Sequence, residues 1–185
     1  MNILLIFTKY PEPGKVKTRL IPSLGSEGAA DHHQRMTEYT LSVADEFVAS
    51  AADSQLVIYF SGGTIELMQQ WLGSERIIQE QHGDDLGKKM ANAFLNSFSE
   101  YPGASIGIIG TDCPDLTSEH LQQAFTRLKE HDVVIGPARD GGYYFIGMNH
   151  PKYIKLFEGI SWSTETVLEA TRQKLKTEFD EPVRW

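Results

Sequence analysis

Four basic side chains lie close together near the amino terminus of a chain whose formal net charge is −8. They follow an apolar run typical of a strand, and they are Lys9, Lys15, Lys17 and Arg19. Two prolines and Gly14 would make this loop compact, and its cations could hold phosphate oxygens, Arg19 through two parallel hydrogen bonds. The loop has neither the Walker pattern nor the GxGxxG pattern. It predicts a phosphate site of another kind, and a solvated lysine-rich loop is the alternative.

Two aspartates follow a second apolar run, at positions 105–109, in the segment GTDCPDL. Carboxylates are hard oxygen ligands suited to Mg²⁺ or Mn²⁺, and such a cation would bridge to diphosphate oxygens. We assign the metal-ligand role to Asp112. For Asp115 an ordinary strand-to-helix turn is the preferred interpretation, in which Asp115 or Thr117 caps the next helix.

A third segment, ARDGGYY, precedes an apolar stretch that is predicted to be a strand. Asp140 is a candidate second metal ligand or general base. Gly141, Gly142 and Tyr143 would form a rigid frame for substrate contacts. The alternative is structural, because an Asp-Gly-Gly turn commonly closes a β-hairpin.

The remaining polar residues give weaker signals. Ser163 and Thr164 would place hydroxyls in the site, although Ser163 is equally well explained as the cap of the last helix. Cys113 has no matched histidine, so a cysteine nucleophile is not expected. The histidines have no metal-ligand spacing, and we predict that His32 and His33 lie on an exposed helix start.

The elements that must position these residues follow from the hydrophobic periodicity. Strands are predicted at positions 2–8, 55–60, 76–79, 105–109, 133–135 and 143–148. Helices are predicted at positions 27–51, 65–72, 84–98, 118–129, 151–157 and 164–175. The helix at 84–98 should bury a stripe formed by Leu86, Met90, Ala93 and Phe94. Alternating strands and helices indicate one α/β domain over residues 1–185, with a mostly parallel sheet covered on both faces. In such sheets ligands bind beyond the carboxyl ends of the strands, where all three loops lie.

Composition excludes several classes of protein. An acidic chain does not suit nonspecific nucleic-acid binding, which requires a basic surface. Cys113 is the single cysteine, so no internal disulfide can form. No stretch approaches the roughly 20 apolar residues that a membrane span needs. We expect a cytoplasmic protein.

Five segments in order resemble a known bacterial family. They are FTKYPEPGKVKTRL at 7–20, DLGKKM at 85–90, GTDCPDL at 110–116, GPARDGGYYFIG at 136–147 and WST at 162–164. They are similar to the GT-A-like group described as radical-SAM/selenodomain-associated transferase 1, in the nucleotide-diphospho-sugar transferase superfamily. Each segment is short, but the ordered set spans nearly the whole chain.

The resemblance implies a three-layer α/β/α sandwich with a Rossmann-like GT-A fold and a mixed, mostly parallel sheet. It implies that Asp112 takes the place of the metal-binding aspartate. It further implies that Asp85 and Gly87 belong to the nucleotide side, together with the basic loop. Asp140 and the two glycines after it match a segment on the acceptor side.

The resemblance and the residues together support three hypotheses. The leading one is a metal-dependent transferase that uses a nucleotide sugar and an unknown acceptor. The second is a nucleotidyltransferase that uses a nucleoside triphosphate and releases pyrophosphate. The third is a noncatalytic nucleotide-binding domain, suggested because relatives commonly continue into an acidic segment where this chain ends at 178–185. Truncation, or a homodimer contact through Trp185, would also fit that end.

Overall fold

Six strands form one sheet in the computed structural model, which describes residues 1–179. The strands are β1 (Asn2–Lys9), β2 (Ser54–Ser61), β3 (Ile78–Glu80), β4 (Ser105–Ile109), β5 (Val133–Pro137) and β6 (Tyr143–Met148). The helices are α1 (Ile21–Ser50), α2 (Ile65–Leu72), α3 (Leu86–Glu100), α4 (Ser118–Arg127) and α5 (Val167–Glu178). Short 3₁₀ helices span Thr18–Leu20 and Pro151–Phe157.

The spatial order of the strands is β3-β2-β1-β4-β6-β5. β1 pairs in parallel with β2 and with β4, and β2 pairs in parallel with β3. β6 is antiparallel to both β4 and β5, so five of the six strands point the same way. The predicted mixed, mostly parallel sheet is therefore confirmed. The chain runs from β1 through β2 to β3 on one side of the sheet and then crosses back to β4 on the other side of β1. The space beyond the carboxyl ends of β1 and β4 is therefore a topological switch point.

Alternate residues of strand β1, which is fully buried from Ile3 to Ile6, enter two different hydrophobic cores. Ile3 and Leu5 pack on the face that α3, α5 and the 3₁₀ helix Pro151–Phe157 cover. Leu4 and Ile6 pack on the opposite face, against α1 and α4. Because successive side chains of a strand point to opposite faces, a strand buried on both sides is apolar throughout. The three-layer α/β/α arrangement is confirmed.

Helix boundaries differ from prediction where backbone geometry or packing intervenes. α1 begins at Ile21, before the predicted start at position 27, because an extra turn precedes Gly25. Gly25 itself has φ 72°, a conformation that interrupts the helix and that glycine adopts without a steric cost. Leu86 was predicted to be buried, and this is wrong: it begins α3 at the edge of the sheet and is 42% exposed. Thr117 caps α4 in a reciprocal pair with His120, as predicted for Thr117.

The capping role predicted for Ser163 is wrong. α5 begins at Val167, and the residue at its cap position is Thr166, whose side chain makes no capping hydrogen bond. Ser163 lies three residues earlier in a turn and has φ 64°.

No helix within residues 1–179 is both long enough and apolar enough to cross a membrane. The expectations that concern Trp185 and the end of the tail fall on residues 180–185, which lie outside the described residues. The homodimer stays a prediction.

Candidate active site

Three adjoining cavities open at the carboxyl ends of β1 and β4, and Gly110 and Asp112 line all three. We name each by a residue that lines it alone among the three. The His120 cavity has a volume of about 480 Å³, the Trp162 cavity about 550 Å³ and the His33 cavity about 340 Å³. Volumes of this size suit small ligands. The crevice lies at the switch point, where α/β sheets bind their ligands.

Lys17 and Asp112 meet in this crevice. The Nζ atom of Lys17 is 2.6 Å from Oδ1 of Asp112, and the two side chains are 22% and 68% exposed. Lys17 has φ 46° and ψ 41°, in the left-handed region, which costs a residue with a side chain on the order of 1 kcal/mol. The preceding Val16 is buried and anchors the loop. The basic loop and the aspartate thus converge, as the sequence predicts.

The other residues of the loop divide into two groups. Arg19 lines the Trp162 cavity and Lys9 lines the His33 cavity, and neither makes an ion pair within the described part of the chain. Lys15 instead pairs with Glu12 at 2.8 Å and, like Gly14, lines none of the three cavities. The structure therefore brings three of the four cations to the crevice.

His33 was predicted to be exposed, and this is wrong: it is only 5% exposed and lines a cavity with Lys17 and Asp112. Its Nε2 lies 3.0 Å from the carbonyl oxygen of Lys9. A carbonyl only accepts, so Nε2 carries a hydrogen, and in the neutral ring Nδ1 is the unprotonated nitrogen. The prediction failed because the end of β1 and the loop after it lie against this face of α1, a long-range contact that helix periodicity does not report.

We expect the stability of the wild-type protein to fall more steeply than that of His33→Gln between about pH 7.5 and about pH 5.5. Burial lowers the pKa of His33 below 6.5 and outweighs the Lys9 carbonyl and Asp112, which raise it. As the pH falls through 6.5, the unfolded state therefore binds more protons at this position than the folded state does. The free energy of unfolding consequently decreases on acidification. Gln keeps an N–H donor but does not titrate. Urea unfolding at several pH values measures the difference, and parallel curves for the two proteins would contradict the expectation.

Asp85 and Gly87 have local roles at the start of α3. The Asp85 carboxylate caps the helix, since its Oδ1 accepts a hydrogen bond from the N–H of Lys88 at 2.7 Å. Gly87 is buried beneath Trp162, and a Cβ added to it would lie 2.5 Å from the indole nitrogen. Neither residue lines any of the three cavities, although Leu86 between them lines two. Their nucleotide-binding roles stay predictions.

The Asp-Gly-Gly segment forms the tip of the β5–β6 hairpin, so the structural alternative holds for its backbone. The Gly142 N–H donates to Oδ1 of Asp140 at 3.1 Å, which leaves the second oxygen of this exposed carboxylate without a hydrogen bond in the described structure. The hairpin tip also reaches the site, because Asp140, Gly142 and Tyr143 line both the His120 and Trp162 cavities. Gly141 instead contacts the first turn of α5: its carbonyl accepts from Leu168 N–H at 2.9 Å.

Tyr143 contributes a ring surface to the site. Its hydroxyl is buried, and burial raises the pKa of the phenol, which therefore stays protonated at neutral pH. Ser163 and Thr164 both line the Trp162 cavity. The Thr164 hydroxyl donates to the Ser161 carbonyl at 2.8 Å, so it stabilises the turn that presents Ser163.

Several residues of the crevice were missed from the sequence. Asp115 lines the His120 cavity and does not cap α4. His120 lines the same cavity, and its Nδ1 accepts from the Thr117 N–H at 3.2 Å. Gln81 lines the His33 cavity and donates to the carbonyls of Thr8 and Tyr59. Capping spacing could have identified His120, but the placement of Gln81 depends on strand pairing.

The ligand set suits a cation only in part. Across residues 1–179 no three His, Cys, Asp or Glu side chains are grouped to hold a metal. Mg²⁺ is commonly bound by one or two carboxylates, with the other ligands supplied by substrate phosphates and water. Asp112, at the junction of the three cavities, fits that pattern. A closed site made of protein ligands alone does not fit.

Solved structures with a similar fold include three proteins. One from Desulfovibrio desulfuricans G20, proposed to be a nucleotide-diphospho-sugar transferase, has a TM-score of 0.86 and 33% identity, covering 99% of this chain and 79% of that chain. Rv0371c from Mycobacterium tuberculosis H37Rv has a TM-score of 0.60 and 15% identity, over 100% of this chain and 87% of that chain. A manganese complex of Rv0371c has a TM-score of 0.51 and 16% identity, over 100% and 86%.

The third protein with a similar fold is the 4-diphosphocytidyl-2C-methyl-D-erythritol synthase of Anaerococcus prevotii DSM 20548. Its TM-score is 0.59 and its identity 13%, over 99% of this chain and 85% of that chain. These neighbours confirm the predicted Rossmann-like GT-A class of fold. No curated protein matches the chain.

A model of the family DUF2064, described as "Uncharacterized protein conserved in bacteria", matches residues 44–164. That range is more than half of the 185 residues: the chain belongs to the bacterial family DUF2064.

Proposed function

We propose that this protein is a metal-dependent transferase that acts on a nucleotide-activated donor, and that the donor is a nucleotide sugar. The observation that carries the proposal is the 2.6 Å contact between Lys17 and Asp112, at the point where three cavities join. A cation and a carboxylate side by side at the switch point suit a diphosphate together with its counterion.

The cations of the crevice supply the charge that a diphosphate needs. Lys9 and Arg19 line two different cavities, and Asp112 lines both of them, so a diphosphate bound beside Asp112 would have further positive charge in the adjoining cavities. Preorganised charges of this kind stabilise the negative charge that develops on a leaving diphosphate. The overall charge of −8 does not oppose this role, because a small ligand responds to the local field.

Asp112 is the proposed protein ligand of Mg²⁺ or Mn²⁺. When bound there with a diphosphate, the cation would neutralise charge on the phosphate oxygens. Asp140 is the proposed general base. Its carboxylate faces two of the cavities with one oxygen held by Gly142, so the other oxygen is available to accept the proton of an acceptor hydroxyl.

Two relatives support this proposal. The Desulfovibrio protein, at 33% identity, is proposed to be a nucleotide-diphospho-sugar transferase, and Rv0371c, which shares the fold, forms a complex with manganese. A nucleotidyltransferase is the second candidate. It is favoured because Lys9 and Arg19 line the crevice in addition to Lys17. Three cations at one crevice also suit a triphosphate. The same fold occurs in a 4-diphosphocytidyl-2C-methyl-D-erythritol synthase.

The two chemistries release different products. The protein is incubated with Mn²⁺, a panel of UDP-, GDP-, CDP- and ADP-sugars and a panel of hydroxyl compounds as acceptors, with water as the acceptor where none is added, and released nucleoside diphosphate is measured. In parallel it is incubated with the four nucleoside triphosphates and sugar phosphates, and pyrophosphate is measured. We expect nucleoside diphosphate release from one class of donor and its loss in Asp140→Asn, with nucleotide-induced thermal stabilisation retained. Pyrophosphate release instead would transfer the assignment to the second candidate. Binding of nucleotide without either product would favour the noncatalytic hypothesis.

A further inference from the structure

One of the two carboxylate oxygens of Asp112 is already paired with a positive group. Lys17 Nζ lies 2.6 Å from Oδ1 of Asp112, so a divalent cation would have to displace the ammonium from that oxygen or bind Oδ2 a few ångströms from a like charge, and either arrangement is opposed by repulsion. The carboxylate is therefore neutralised as long as Lys17 stays in this position.

The backbone holds Lys17 in place, so the contact does not depend on a flexible side chain alone. Val16 on one side is buried, and the Lys17 carbonyl on the other accepts a hydrogen bond from the Leu20 N–H at 2.8 Å. Between these anchors Lys17 adopts its left-handed conformation. Strained backbone of this kind persists where the surroundings determine it, and it is concentrated at functional sites.

A free divalent cation would find little at Asp112 to bind. It would meet the repulsion of the Lys17 ammonium, and in the described part of the chain no three-residue ligand group would replace the water it loses. A diphosphate changes both conditions. Its oxygens complete the coordination of the cation, and its negative charge attracts the Lys17 ammonium away from Asp112.

We propose that the ligand of this site is a preassembled complex of a divalent cation with a diphosphate, and that Lys17 excludes the free cation from Asp112 until the diphosphate draws its ammonium away. This inference rests on the proposed function, because it assumes that Asp112 binds the metal. It adds the class of ligand that binds and assigns Lys17 a gating role besides its contact with phosphate.

The first test measures binding of Mn²⁺ alone, from the electron paramagnetic resonance signal of the free ion. Wild type and Lys15→Met should bind weakly. Lys15 is the matched control, because it is a lysine of the same loop that is paired with Glu12. Lys17→Met should bind Mn²⁺ about five- to tenfold more tightly, since the competing charge has been removed. Asp112→Asn added to Lys17→Met should abolish the gain. Lys17→Gly is a second variant, which removes the ammonium and suits the left-handed backbone.

The second test uses labelled pyrophosphate as the probe, in equilibrium dialysis with and without Mn²⁺. Wild type should bind pyrophosphate at least about tenfold more tightly with Mn²⁺, and Asp112→Asn should lose this dependence. If wild type binds Mn²⁺ alone as tightly as both Lys17 variants, and Asp112→Asn abolishes that binding, the gating role is overturned while the metal role of Asp112 stands. If Asp112→Asn keeps the full Mn²⁺ dependence, the metal role and the proposed function fail together.

Discussion

Asp112→Asn should have opposite effects on nucleotide binding with and without metal. With Mn²⁺ present, the affinity for UDP and GDP should fall by about tenfold or more, because a metal ligand is lost. With EDTA present, the affinity should stay the same or rise, because a negative charge has been removed from beside the phosphates. Isothermal titration calorimetry under both conditions measures the two effects.

The matched control for this substitution is Asp84→Asn. Asp84 is another exposed aspartate paired with a lysine, Lys88 at 2.9 Å, and it lines none of the three cavities. We expect no change in nucleotide affinity in either buffer. Asp112→Asn should also leave the free energy of unfolding within about 1 kcal/mol of wild type, since exposed ion pairs contribute little. An equal loss of affinity with Mn²⁺ and with EDTA would show that Asp112 does not act through a metal.

Gly141→Ala should lower the free energy of unfolding by about 2–4 kcal/mol. Two costs combine at this position. Gly141 has φ 85°, which disfavours any side chain, and a Cβ would lie 2.1 Å from the carbonyl oxygen of Glu165. That oxygen belongs to the backbone, so relief requires the hairpin tip to move away from the turn that carries Ser163 and Thr164. Both sides of the Trp162 cavity would shift.

Two other glycines separate these costs in urea unfolding experiments. Gly159 has φ 65° and open space around its Cβ position, so Gly159→Ala measures the conformational cost alone, on the order of 1 kcal/mol. Gly142 has no positive φ, and its Cβ would meet only the Asp140 side chain at 3.4 Å, so Gly142→Ala should be nearly neutral. If Gly141→Ala is no more destabilising than Gly159→Ala, the contact with Glu165 does not hold the hairpin.

The local pattern of the sequence predicted most of the secondary structure. The apolar run of β1 indicated a strand buried on both faces, and its residues do divide between two cores. The spacing of Thr117 indicated the start of α4, where it caps the helix. These features depend on interactions between neighbours in the chain or on burial itself, and both leave a record in residue type and period.

The predictions that failed concern residues whose environment is supplied by distant segments. His33 contacts the end of β1, Leu86 opens onto the crevice, and Ser163 lies ahead of the helix that it was expected to cap. Periodicity gives the face of a helix but not what will pack against it. Nothing in the residue types near positions 33, 86 or 163 encodes those distant partners.

The sequence by itself determined the elements, their order, and the edge of the sheet at which the charged loops must meet, because strands joined by helical crossovers bring their carboxyl ends to one side. Only the tertiary structure decided which charges meet there. It brought Lys17 to Asp112, turned Lys15 toward Glu12 and placed Gly141 against Glu165. The reason is that a left-handed backbone at Lys17 and a close backbone contact at Gly141 are selected by packing between segments far apart in the chain.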